Sequence, residues 1–237
     1  MNTHQSYGTI LGAYLVNMLP AKRIGRVIID GVASAPQWAN AQTQTWLKDW
    51  MVDTDKAFDW FMNDCSRFGP PACRLAKHKG EKPHKIAERI DRFLDALYEE
   101  PMAVYNTSRP GLLTSAGART VLYYSTNRPD QFQPIADAFA DAMDEKHPNP
   151  KKLYEYLHHP FSPPTSLDQT DLSRAAVVCG DQPTGPAPSA ADLLNQTLFG
   201  LKHTSRRFAA SVAPIEPDGG CQFHPALGRT PERFTGP

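Results

Sequence analysis

Hydrophobic residues recur along most of this chain at helical spacing. Ile10, Leu11, Tyr14, Leu15 and Met18 form one face of a helix from Gly8 to Leu19, which Pro20 ends. The period then changes. "GRVIIDG" gives a continuous apolar run, Val27-Ile28-Ile29, between Gly25 and Asp30-Gly31. A short run of this kind predicts a strand buried on both faces. A serine turn, a helix and a buried strand in succession make half of a parallel βαβ crossover. No strand is predicted ahead of Ser6, which leaves Val27–Ile29 without a neighbour.

From Trp38 onward helical spacing takes over. Leu47, Trp50, Met51, Phe58, Phe61 and Met62 share a face, with Trp46 and Trp60 beside it, and "RFGPPAC" ends the segment. Pro83 opens the next helix, carried by Ile86, Ile90, Phe93, Leu94 and Leu97. "LTSAGARTVLYYS" predicts a shorter one with Thr114 as its cap. Phe132, Ile135, Ala136, Phe139, Ala140 and Met143 predict another, with Pro129 in its first turn. Residues 147–166 hold five prolines and read as loop. Ser189 and Asp192 have capping-box spacing ahead of a last amphipathic helix built on Leu194, Leu198, Leu201 and Phe208. The tail after Pro214 reads as loop. There is no internal repeat, and aromatics at helical spacing read as core rather than as a cofactor box.

Composition narrows the function. The 237 residues leave room for one large domain or two small ones. Lys plus Arg and Asp plus Glu both total 25, so the formal net charge is zero. No large field draws the chain to nucleic acid or to an anionic membrane, and neither partner is expected. No apolar run approaches the roughly 20 residues of a membrane span. "MNTHQSYG" is not a signal peptide, and localisation stays open. Thirteen of the 22 prolines lie from Pro148 onward, which makes the later part loop-rich. There is no H-E-x-x-H, no G-x-x-x-x-G-K and no C-x-x-C, so no cofactor and no metal site are expected. His78 and His84, in "KHKGEKPHK", read as a solvated loop. Four cysteines fit two disulfides, and they also fit four reduced, buried thiols.

The chemistry concentrates in "HQSYGTILG", residues 4 to 12. A serine on a small-residue turn opening into a helix matches the end of the nucleophile motif G-x-S-x-G, with His4 in place of the first glycine. Taken alone, the spacing around Ser6 slightly favours a helix N-cap. Asp30 reads as a turn or capping residue. No histidine after Ser6 (78, 84, 147, 158, 159, 203 and 224) lies in a context that recommends it as a base.

"SYGTILGAYLVNMLPAKRIGRVIIDGV" resembles the nucleophile elbow, following helix and next strand of the α/β-hydrolase fold. It is most similar to the tripeptidyl-aminopeptidase-like serine hydrolases, with their S-Y-G-T-x-L-G and V-L-D-G-V-like strand end. Cys65 and Cys73, Cys179 in "VVCGD", Cys221 in "GGCQFHP" and the final "ERFTGP" extend the resemblance by order and spacing. It implies an α/β-hydrolase fragment, mostly a helical cap with a small α/β remnant at the N-terminus. Residues 1–35 would be the elbow, helix and strand, 36–210 the helical cap, and 211–237 a loop-rich return toward the C-terminal hydrolase portion.

The resemblance also implies roles. Ser6 takes the nucleophile position, and the Tyr7 backbone N–H supplies half of an oxyanion hole. Cys65 pairs with Cys73, and Cys179 with Cys221. The family's acid and histidine follow its cap, beyond Pro237, and its second oxyanion donor precedes the elbow. The implied function is a serine hydrolase, a peptidase or esterase taking a peptide or ester substrate, incomplete as written and inactive alone. The other reading is a non-catalytic, cap-derived binding or interaction protein.

Overall fold

The structure is a computed structural model that describes residues 2–42, 45–158, 171–181, 183, 188–209 and 221; for 2–5, 47, 48, 158 and 171–175 it describes the backbone alone. The chain divides into two compact units. The first draws on residues 1–47, 169–196 and 214–237, and the second on 48–168 and 197–213.

The first unit begins with strand β1 (Asn2–Gln5), helix α1 (Tyr7–Met18) and strand β2 (Val27–Asp30). The strands pair in parallel, with Asn2 opposite Val27, His4 opposite Ile29 and Gln5 opposite Asp30. The crossover is therefore complete: a strand does precede Ser6 and gives Val27–Ile29 its neighbour. Nothing in the polar sequence Asn-Thr-His-Gln announces a strand. Pairing with the apolar β2 creates it.

Helix α2 (Ala35–Asn40) follows, with Pro36 in its first turn and Ser34 as its cap, where the Gln37 N–H donates to the Ser34 hydroxyl over 3.3 Å. A short helix α3 (Leu47–Trp50) follows it in sequence. Ile10, Ala35, Trp38, Trp46 and Val178 form the core of the unit, and Cys221 packs against them. Val178 comes from helix α9 (Asp171–Gly180).

The second unit is helical. Helix α4 (Thr54–Phe68) buries Phe58, Phe61, Met62 and Cys65. The face expected to run on from Leu47 is broken by a turn at residues 51–53, and Trp60 lies outside in solvent. Helix α5 (Pro83–Glu99) has Pro83 at its first position and buries Ile86, Ile90, Leu94 and Leu97 at the expected spacing. Strands β3 (Met102–Val104) and β4 (Gly111–Leu113) form an antiparallel pair that the apolar pattern does not announce.

Helix α6 (Ser115–Thr126) starts at its Thr114 cap, whose hydroxyl accepts the Gly117 N–H at 3.1 Å. A 3₁₀ turn at Pro129–Gln131 leads into α7 (Phe132–Ala142). Helix α8 (Lys151–His158) corrects the expectation of a loop over 147–166. Pro148 and Pro150 both precede it, where a missing N–H costs nothing, and Leu153 and Tyr154 are buried. Residues 159–166 lie outside the described residues.

Helix α10 (Ala190–His203) opens on the expected capping box. The Asp192 N–H donates to the Ser189 hydroxyl (3.2 Å), and the Ser189 N–H donates to the Asp192 carboxylate (3.0 Å). Its Leu194 and Leu198 are exposed rather than core, and Phe208 is buried beyond the helix end.

The α/β-hydrolase fold implied by the resemblance is not the fold observed. Described residues are mostly helical, and their strands form two separate two-stranded pairs, β1–β2 and β3–β4. A hydrolase core is a broad, mostly parallel sheet with both faces covered by helices. Among the described residues β2 has one neighbouring strand, and Ile28 and Ile29 remain 42% and 40% exposed. The apolar run that reads as a doubly buried strand is thus a strand of a narrow ladder. Of the loop-rich tail expected over 211–237, all but residue 221 lies outside the described residues.

Candidate functional site

Ser6 occupies the single residue between β1 and α1, at the carboxyl end of the parallel ladder. Its backbone has φ 52° and ψ −125°, the only positive φ at a non-glycine among the described residues. A side chain in this region costs about 1–3 kcal/mol and persists only where the surroundings over-determine it. They do so here through the Ser6 carbonyl. It accepts the Thr9 N–H at 2.8 Å and the Thr9 hydroxyl at 2.7 Å. The Thr9 oxygen in turn accepts the Ala33 N–H at 3.0 Å, from the segment beyond β2. Thr9 is buried, so this relay is shielded from competing water.

The Ser6 hydroxyl makes no capping bond, and Ser6 is exposed. The N-cap reading is therefore not realised. Among the described residues no group donates to or accepts from this hydroxyl. Asp30, opposite Gln5 in the ladder, lies exposed at the same carboxyl end.

Tyr7 is the first residue of α1, so its backbone N–H has no partner within the helix. Its side chain is anchored firmly. The phenol donates to the Asp181 carboxylate over 2.8 Å, and the Trp38 indole N–H donates to the same oxygen over 3.0 Å. The Tyr7 and Trp38 rings lie 5.4 Å apart and tilted. Burial first, and then the bond to Asp181, push the Tyr7 phenol well above the ordinary phenol range. It stays neutral and keeps donating throughout the physiological range.

Asp181 closes α9, two residues after Cys179, which is disulfide-bonded to Cys221 with a Cα separation of 5.0 Å. Cys65 and Cys73 form the other disulfide, with a Cα separation of 5.1 Å. Both pairings match those implied by the resemblance.

Thr9 and Asp181 carry the site as much as Ser6 does, and sequence reasoning missed both. Thr9 stands among apolar helix residues with no visible partner, and its partner, Ala33, lies 24 positions away. Asp181 bonds to Tyr7 across 174 positions. Of the eight histidines, 78, 84, 147 and 203 belong to the second unit. The side chains of His4, His158, His159 and His224 lie outside the described residues. Among the described residues no group of three or more His, Cys, Asp or Glu side chains could hold a metal ion. No helix there is long and apolar enough to cross a membrane. Comparisons with family models, with curated proteins and with solved structures find no match to this chain.

Proposed function

We propose that Ser6 is the nucleophile position of a serine hydrolase of the tripeptidyl-aminopeptidase-like type, a peptidase or esterase by chemistry, and that the 237-residue chain alone does not turn substrate over. One observation carries the reading: a strained serine between a strand and a helix, with an exposed and unpartnered hydroxyl. Strain of this kind is expensive and clusters at functional sites. It presents an oxygen where a reacting carbonyl carbon can approach.

The steps follow from the groups present. The Ser6 oxygen attacks the acyl carbon of a peptide or ester while its proton passes to a base. Negative charge gathers on the acyl oxygen, which accepts from the Tyr7 N–H, a donor left without a helical partner at the start of α1. The bond to Asp181, whose carboxylate also accepts from the Trp38 indole, holds the Tyr7 side chain, and so the first turn of α1, in place. Collapse of the intermediate breaks the bond to the amine or alcohol, which leaves with the proton from the base, and water then hydrolyses the acyl group from Ser6. No described residue engages the Ser6 hydroxyl as a base. An unassisted serine hydroxyl is a weak nucleophile.

The test is labelling by a fluorophosphonate probe, with and without added imidazole as a mobile base. The wild-type chain alone should label no faster than Ser6→Ala. With imidazole, wild type should label and Ser6→Ala should not. Ser6→Ala removes no capping bond, so its fold should be intact by circular dichroism. Ser6-dependent labelling without imidazole would overturn the claim of inactivity. No Ser6-dependent labelling even with imidazole would overturn the nucleophile assignment and favour a non-catalytic binding protein.

A further inference from the structure

In the second unit, a cleft of about 370 Å³ opens between the C-terminal half of α4 and the start of α7. Phe61, Asp64 and Phe68 of α4 line it at i, i+3 and i+7, which puts them on one helical face. Phe132 stacks on Phe61 with ring centroids 4.3 Å apart and planes 17° apart. Phe68 is 53% exposed. The Cys65–Cys73 disulfide contributes to the lining and fixes the end of α4.

Two carboxylates reach this largely apolar cleft, and they differ. Asp130 is already engaged, by two bonds from Arg128 and one from Gln131. Asp64 is partly buried, yet among the described residues no hydrogen bond or ion pair holds its carboxylate. A partly buried carboxylate beside aromatic rings attracts a cation from two sides, by its own charge and by the negative faces of the rings. Phe68 already shows this chemistry, with the Arg67 guanidinium 5.2 Å from its ring centroid.

We propose that the cleft binds an organic cation, an alkylammonium or guanidinium group, with Asp64 as counter-ion and Phe68 and Phe132 as aromatic walls. The competing ligands fit worse. An anion would meet the uncompensated Asp64 carboxylate. A neutral apolar ligand would strip water from Asp64 and return nothing. A metal ion would find too few ligands, with no three-carboxylate or histidine set among the described residues. The volume suits one basic side chain or a small amine rather than a large cofactor.

The experiment is an amide NMR titration of the full chain with n-butylammonium, n-butylguanidinium and neutral n-butanol. Either cation should shift the resonances of residues 61–73 and 129–133 saturably, with millimolar affinity, and the stronger of the two identifies the source as lysine-like or arginine-like. Asp64→Asn, nearly isosteric, should weaken binding about tenfold with the rest of the spectrum unchanged. Phe68→Leu should weaken it severalfold. Butanol binding as well as the cations would overturn the proposal. So would undiminished cation binding by Asp64→Asn, or the absence of any saturable shift.

Discussion

Thr9 does more for the serine turn than any residue of the turn itself. Its hydroxyl donates to the Ser6 carbonyl and accepts from Ala33, so one buried oxygen fastens the first turn of α1 to the chain beyond β2. Thr9→Val keeps the shape and removes both bonds, leaving the Ala33 N–H without its acceptor. The loss should be about 2 kcal/mol, since each neutral bond is worth about 1 kcal/mol and an orphaned donor costs more. Thermal unfolding of the variant measures it. Thr9→Ser keeps the hydroxyl and should recover most of the difference. A Thr9→Val variant as stable as wild type would show that the relay does not hold the strained turn.

Among the elements, the loop joining α4 to α5 is the most tightly specified. Gly69 ends α4 at φ 63°, and an added Cβ would come within 2.6 Å of the Lys79 backbone, so only glycine fits there. Further along, the nearly buried Glu81 carboxylate accepts from the Lys77 N–H at 2.7 Å and from both terminal nitrogens of Arg89. One of those nitrogens also donates to the Leu75 carbonyl at 2.6 Å. The Arg89 bonds, first, and the Lys77 N–H pull the Glu81 carboxyl from 4.5 down to about 2, against the opposing effect of burial. A depressed carboxyl pKa stabilises the fold above the unfolded value and loses that contribution as pH falls through the folded one. Glu81→Gln should therefore cost about 3 kcal/mol at neutral pH, because it strands the Arg89 charge. The gap from wild type should narrow from about pH 4.5 toward 2 as wild type loses its own ion pair. Urea unfolding at a series of pH values checks both the size and the direction.

Across the whole molecule, legibility followed the range of the contacts. Helices α5, α6 and α7 were readable because their apolar faces and caps lie within a dozen or so neighbouring positions. The capping box of Ser189 and Asp192 was readable for the same reason. Strand β1 was not, since its residues carry no strand pattern and become a strand only beside β2, some 25 positions on. Helix α8 was hidden by prolines that turned out to stand before it. At the site, the serine was legible as a motif, but the relay through Thr9 and the anchor at Asp181 are long-range bonds with no local mark. The α/β-hydrolase expectation failed for a related reason, because a local strand–turn–helix signature says nothing about how many strands lie beside it.

The disulfides divide the same way, one local and one distant. Chain-entropy reasoning assigns about 2.5 kcal/mol to the bridge spanning 8 positions and about 4 kcal/mol to the one spanning 42. Denaturant unfolding of the Cys65→Ser/Cys73→Ser and Cys179→Ser/Cys221→Ser double variants should show that order. Equal losses would mean that loop length does not govern their contributions.

The longer bridge has a further consequence for the covalent topology. It closes the backbone from Cys179 to Cys221 into a ring, with Asp181, the partner of Tyr7, inside it. A protease that nicks this ring once changes the connectivity without separating the pieces. The two halves would migrate as one species on a non-reducing gel and part only when reductant is added.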